Sequence, residues 1–250
     1  MRSPRVGTIT SRVQSMGTET GTGKQYAWRT ETHPFVRSGE LPDRAFRFFK
    51  DPAHAHALCN GHVWLSTLSV CRAYEQELQG DPDEGRMHFR SGDLVVNSYD
   101  PLSVAIAARA NVVVGPDCYG LQFRDNRRTT SLADAWVLCM SEHYMPDLLS
   151  STFGQHCVEI YGVERLFVLI TRRLRDRHAL MEGAAGRIVY RSRVYTGLED
   201  MPGPLGFVKD PDGFEAQQEV RFAWRFTKDE TVHPILLAVP ESSHHFKRIS

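Results

Sequence analysis

The sequence carries no surplus of charge of either sign: Lys plus Arg is 30 and Asp plus Glu is 30. Bulk electrostatics therefore name no polyanionic partner, and contact with nucleic acid or an anionic membrane would need a local patch. Cysteine is also scarce. Cys59, Cys71, Cys118, Cys139 and Cys157 are odd in number, widely spaced and without a C-x-x-C pair, which argues against a disulfide framework or a zinc knuckle. No apolar run approaches membrane-spanning length. The first residues are rich in Arg, Ser, Thr and Gly and lack the apolar centre of a secretory signal. The expectation is a cytoplasmic protein with no membrane contact.

What is present is ordinary globular material. Hydrophobic residues make up 41% of the 250 and charged residues 24%, enough to fill a core and too apolar for wholesale disorder. Residues 1–40 lack sustained apolar periodicity and read as a mobile N-terminal arm, followed by a single domain over 41–250. Within the arm, Gly21-Thr22-Gly23-Lys24 imitates part of a phosphate loop. Gly17 and Gly23 are separated by five residues instead of four, and Gln25 follows the lysine, so the motif is rejected.

Past the arm, strand and helix signals are interspersed. Arg44–Phe49 reads as a strand. Asp51-Pro52 supplies an N-cap and first-turn proline, and Asn60-Gly61 a stop, around a two-turn helix. His62–Leu65 is a second strand, and Leu68–Leu78 has helical spacing. Leu94–Asn97, Val112–Val114 and Tyr119–Phe123 read as strands, with a helix from Asp100-Pro101 to about Ala110 between the first two. Asp125–Ser131 reads as a polar connection. Ala135–Met140 is apolar throughout, as in a buried central strand, and delivers Ser141, Glu142 and His143 at its end. Cys157–Tyr161, Gly186–Tyr195 and Ile235–Val239 are further strands, and Phe246–Ser250 a candidate edge. Ser151-Thr152 falls in a presumed loop, and Val163–Leu180 carries a basic face (Arg172, Arg173, Arg175, Arg177). Without regular β-α alternation, the fold class is α+β: a mixed or antiparallel central sheet with flanking helices.

The most informative stretch runs from Gly213 to Phe226. Val220, Phe222, Trp224 and Phe226 alternate with Glu219, Arg221, Ala223 and Arg225, the period of a half-buried strand. One face is apolar, so Gln217, Glu219 and Arg221 are expected to share the other. A carboxylate, an amide and a guanidinium on a rigid strand can stabilise a developing cation and orient a polar ligand. The plainer reading of the same residues is a solvated Glu219–Arg221 pair.

Three separated pieces resemble a widespread bacterial family of soluble proteins of unknown function, often linked to defence. They are Phe46–Phe49 with Val63–Ser66 and the acidic Gly80–Gly85; Val137–Glu142 with Phe153–Ile160; and Phe214–Arg221. A second, weaker resemblance rests on Gly213-Phe214-Glu215-Ala216-Gln217-Gln218-Glu219, which is similar to the aromatic-plus-Gln-x-Glu loop of bacterial mono-ADP-ribosyltransferases. That resemblance implies an ADP-ribosyltransferase-like fold and NAD as substrate. Glu219 and Gln217 would be catalytic, and Arg47, Ser141, Phe214 and Arg221 would hold the nucleotide. The sequence departs from that family in lacking its Ser-Thr-Ser strand.

Two functional readings follow. One is an NAD-consuming transferase or glycohydrolase, a toxin or anti-phage effector modifying a protein or nucleic acid. In it Glu219 stabilises the oxocarbenium-like centre formed as the nicotinamide–ribose bond breaks, and Arg47 pairs with pyrophosphate. The other is a non-catalytic ligand-sensing or protein-binding module of a bacterial defence system. A third, a metal-dependent nuclease built on Asp81, Asp83, Glu84 and His88, is weakest, because nuclease carboxylates converge from separate elements. Arg47, Ser141 and Glu219 lining one cleft would favour the first reading. Glu219 packed only against Arg221 on an open sheet face would favour the second.

Overall fold

The computed structural model describes residues 35–38, 41–74, 80–227 and 231–250. It has helices and a mostly antiparallel nine-stranded sheet, the α+β class expected. In chain order come β1 (Phe35–Ser38), β2 (Arg44–Phe49), α1 (Pro52–Cys59), β3 (His62–Thr67), α2 (Leu68–Ala73), β4 (Arg86–Arg90), β5 (Asp93–Val96), α3 (Pro101–Arg109), β6 (Leu121–Arg124) and β7 (Arg127–Ser131). They are followed by β8 (Trp136–Ser141), α4 (Pro146–Phe153), β9 (His156–Tyr161), α5 (Val163–Arg175), β10 (Leu180–Arg187), β11 (Val189–Tyr190), β12 (Val194–Thr196), β13 (Val208–Lys209), β14 (Glu219–Phe226), β15 (Ile235–Ala238) and β16 (Phe246–Arg248). Of the stretch read as an N-terminal arm, Phe35–Ser38 pairs in parallel with β10; the remainder lies outside the described residues. No described helix is long and apolar enough to cross a membrane.

The sheet runs β1-β10-β14-β8-β2-β9-β16, with β3 on β8 and β15 on β3. The two strands expected to be central, β8 and β14, are direct antiparallel neighbours, with Glu219 opposite Ser141 and Trp224 opposite Trp136. Alternation then decides the layers. Val220, Phe222, Trp224 and Phe226 join Trp136, Leu138 and Met140 beneath Phe167, Ile170 and Leu174 of α5 in one core cluster. Burying a large apolar side chain contributes roughly 1.5–3 kcal/mol, so this face dominates the stability of the fold. Its polar ring nitrogens are satisfied too: Trp224 Nε1 donates to Thr171 Oγ1 at 2.9 Å and Trp136 Nε1 to the His233 carbonyl at 2.5 Å.

Local chemistry sets the helix ends. The Asp51 carboxylate accepts from Ala53 N at 2.8 Å and that of Asp100 from Leu102 N at 3.1 Å, each with proline in the first turn. Helix α4 was not expected. It puts Ser151-Thr152 on a helix instead of a loop and ends at Gly154, whose φ is 109°. A Cβ there would lie 2.1 Å from the Phe49 carbonyl oxygen, so only glycine fits.

Three strand expectations need correction. Arg127–Ser131 is polar in sequence yet forms β7, because β4 pairs with it residue for residue. Val112–Val114 is apolar yet forms no strand; Val112 and Val114 pack beside α3 against the small core of Val96, Ala107 and Phe123. Gly186–Tyr195 is not one strand. The chain leaves β14 after Arg187, pairs briefly with β13 and then joins β4.

Candidate functional site

On the face of β14 away from α5 lies a layer of charge that is almost entirely closed. Arg221 is 1% exposed and Glu219 4%. Neither is the solvated residue that strand alternation alone suggests. The Arg221 guanidinium grips Glu84 with both terminal nitrogens, Nη1 to Oε1 at 2.5 Å and Nη2 to Oε2 at 2.9 Å. Its Nε donates to Glu219 Oε1 at 2.8 Å, and Nη1 also reaches the Gly206 carbonyl at 2.8 Å. Lys209 completes the group, 2.7 Å from Glu219 Oε2 and 3.6 Å from Glu84 Oε2. Two carboxylates thus face two cations, which is what permits four charges to be buried together.

The electrostatics follow from this pairing. Burial pushes the Glu219 carboxyl up, but the adjacent Arg221 and Lys209 charges more than reverse that, and the Cys139 thiol adds a hydrogen bond; its pKa falls to about 2. Glu84 is held low in the same way, burial being outweighed by Arg221 and Lys209. Burial would strip the proton from Lys209, yet Glu219 and Glu84 hold it on well above the usual lysine range. All four groups are ionised at neutral pH. The thiols beside them are inert: burial raises Cys71 to about 11 and holds Cys139 well above the ordinary thiol value.

A loop closes the cluster. Phe214 lies under the Lys209 ammonium, 5.0 Å from ring centroid to Nζ. Gln217 is 7% exposed and sits in a 3₁₀ turn over Glu215–Gln217 instead of on the strand, a correction to the expected shared sheet face. Its Oε1 is 3.4 Å from Lys209 Nζ. Gln218 takes the left-handed conformation at φ 44°, which turns the chain from that loop into β14. The Glu219 backbone N–H donates to the Tyr190 hydroxyl at 2.7 Å.

The nucleotide-contacting residues implied by the transferase resemblance are partly brought together. Pairing aligns Glu219, Ser141, Phe46, Glu159 and Lys247 in one rank across five strands, so β2, β8 and β14 do lie side by side. Arg47 is one residue out of phase with that rank. Its Nη1 donates to the Trp64 carbonyl at 3.1 Å, its guanidinium lies over the Phe49 ring, and burial lowers its pKa to about 10. Ser141 donates to the His143 carbonyl at 2.8 Å and accepts from His143 N at 3.3 Å, closing its own turn. Ser141→Ala should therefore cost only about 1 kcal/mol, the worth of one ordinary hydrogen bond, measured by thermal melting. A loss several times larger would mean the hydroxyl supports more than that turn. Beside Ala223 on the same face, the cavity lined by Leu132, Ala184, Phe207 and Ala223 holds about 20 Å³, room for one water and not for a nucleotide.

The acidic turn is likewise consumed. Asp81 is clamped bidentately by buried Arg193, Glu84 by Arg221, and Asp83 lies 3.3 Å from His88 Nε2. These acids diverge to different partners, which removes the basis of the nuclease reading, and no cluster of metal-ligating residues occurs among the described residues. Sequence reasoning missed Glu84, Lys209 and Tyr190 as members of the cluster. The one usable signal was that Arg221, on a strand with a fully apolar opposite face, needed a carboxylate from elsewhere. Comparison with family models, with curated proteins and with solved structures finds no match to this chain.

Proposed function

We propose that this chain is a non-catalytic binding module, in which the Glu84–Lys209–Glu219–Arg221 cluster is structural. The observation that supports this is the saturation of Glu219. Both carboxylate oxygens are engaged by buried cations, and 4% exposure leaves no open face for a ribose hydroxyl. Transition-state stabilisation requires groups aimed at where charge develops, and here the carboxylate is aimed at a lysine and an arginine of its own chain.

A second reading, NAD consumption, keeps one favourable observation: Ser141 and Glu219 stand opposite each other on adjacent strands. It would require the loop carrying Phe214 and Gln217 to lift away from Lys209. Incubating the full chain with NAD labelled in the nicotinamide and in the adenosine, with and without cell extract, separates the two. The binding-module reading expects neither nicotinamide release nor transfer of label to protein or nucleic acid. Release dependent on Glu219 would establish the NAD reading in its place.

A further inference from the structure

We infer that the outward face of α5 is a docking surface for the phosphate backbone of duplex DNA. The inference goes beyond the reading of Glu219 and does not depend on it, because α5 lies across the sheet from the buried cluster. With a formal net charge of +0, the chain can meet a polyanion only through a local patch, and α5 carries one. Its inner stripe of Val163, Leu166, Phe167, Ile170 and Leu174 is buried in the core, so the helical period leaves the arginines outside. Arg165, Arg172, Arg175 and, just past the helix end, Arg177 are exposed. Among the described residues no carboxylate lies within salt-bridge distance of these four, whereas Arg173 is turned aside to Glu241 at 3.1 Å. From Arg165 to Arg175 the row covers about 15 Å of helix, and a duplex offers a phosphate charge about every 1.7 Å.

Helix stability alone does not account for this row. Arg172 and Arg175 complement the negative C-terminal end of α5, but Arg165 sits in the first turn, where the helix dipole opposes a cation. The positive field continues onto the turn packed beside it: burial, reinforced by His244 and Arg165, holds His245 below its ordinary value. The side chains also choose the partner. Every cation of the segment is arginine, whose planar fork matches a phosphate. No large apolar side chain of α5 is among the exposed ones, so the helix has nothing to bury in an anionic bilayer. The exposed face carries no aromatic, Asn or Gln. It therefore lacks the platforms that stack single-stranded bases and contacts the backbone without preference for sequence.

The test uses the full chain and labelled duplexes of two unrelated sequences. Both should bind alike, and the logarithm of affinity should fall against the logarithm of salt with a slope of about −3.5, from four phosphate contacts. That is a loss on the order of 100-fold between about 50 and 200 mM salt. Arg172→Gln with Arg175→Gln should cut the slope to about half while keeping a cooperative melt, since both side chains are exposed. Arg172→Lys with Arg175→Lys should restore it, because the charge is kept. Removing the same charge from β7, by Arg127→Gln with Arg128→Gln, should leave the slope unchanged. Absence of binding at about 50 mM salt, where such contacts are strong, would overturn the inference. So would a slope that the α5 glutamine pair does not move, or tighter binding to single strands or to anionic lipid vesicles than to the duplex.

Discussion

Arg221→Ala is expected to cost about 3–5 kcal/mol, the range for removing one partner of a buried ion pair and leaving its charge uncompensated. Two buried carboxylates, Glu84 and Glu219, would then share Lys209 alone. The damage should spread beyond β14. Glu84 lies two residues before β4, and its grip by Arg221 links the Gly80–Gly85 turn, and through it the β12-β4-β7 sheet, to the main sheet. In a domain of this size each kcal/mol moves the melting midpoint by about 2–4 °C, so a drop on the order of 10 °C is expected by calorimetry. Should Arg221→Ala fail to fold, Glu84→Leu with Arg221→Met replaces both halves of the pair and should recover a cooperative transition, because an apolar replacement of a whole pair is often tolerated. A melt of Arg221→Ala within a degree of the unaltered protein would show that the cluster is no clamp.

The second large effect is expected at Glu219, where stability and chemistry separate. Glu219→Gln removes the charge that Lys209 and Arg221 face but keeps the shape. Its carboxyl titrates at about 2 in the fold against an ordinary value of 4.5, which corresponds to about 3 kcal/mol of stabilisation. Because the folded pKa is depressed, that stabilisation is fully present above about pH 4.5 and is lost as pH falls toward 2. Glu219→Gln should therefore lower the midpoint at pH 7 by several degrees and flatten its decline below pH 4.5. Some acid sensitivity remains through Glu84, whose pKa is also held low. The binding-module reading adds that nicotinamide release from NAD is absent before and after the change. A variant as stable as the unaltered protein that loses such release would instead place Glu219 in catalysis.

Much of the framework is legible in local sequence. The alternation over Val220–Phe226, the apolar run ending at Met140, and the Asp-Pro caps at Asp51 and Asp100 each act over a few residues, so spacing alone reveals them. Where sequence reading fails, the deciding partner is distant. Arg127–Ser131 becomes a strand only because β4 offers its edge, and Gly186–Tyr195 breaks because three different strands compete for it.

The same division holds at the site. By itself the sequence determined that Glu219 and Arg221 share the face opposite Val220, Phe222 and Trp224, since a pleated strand admits no other arrangement. Whether that face meets water was a tertiary decision. Glu84 arrives from 137 residues away, Lys209 from β13, and Phe214 closes over the lysine. Charge pairing at this depth depends on oxygens and nitrogens meeting within about 3 Å. Residue spacing along the chain does not encode that distance; the packing of the small sheets and the closing loop against β14 does.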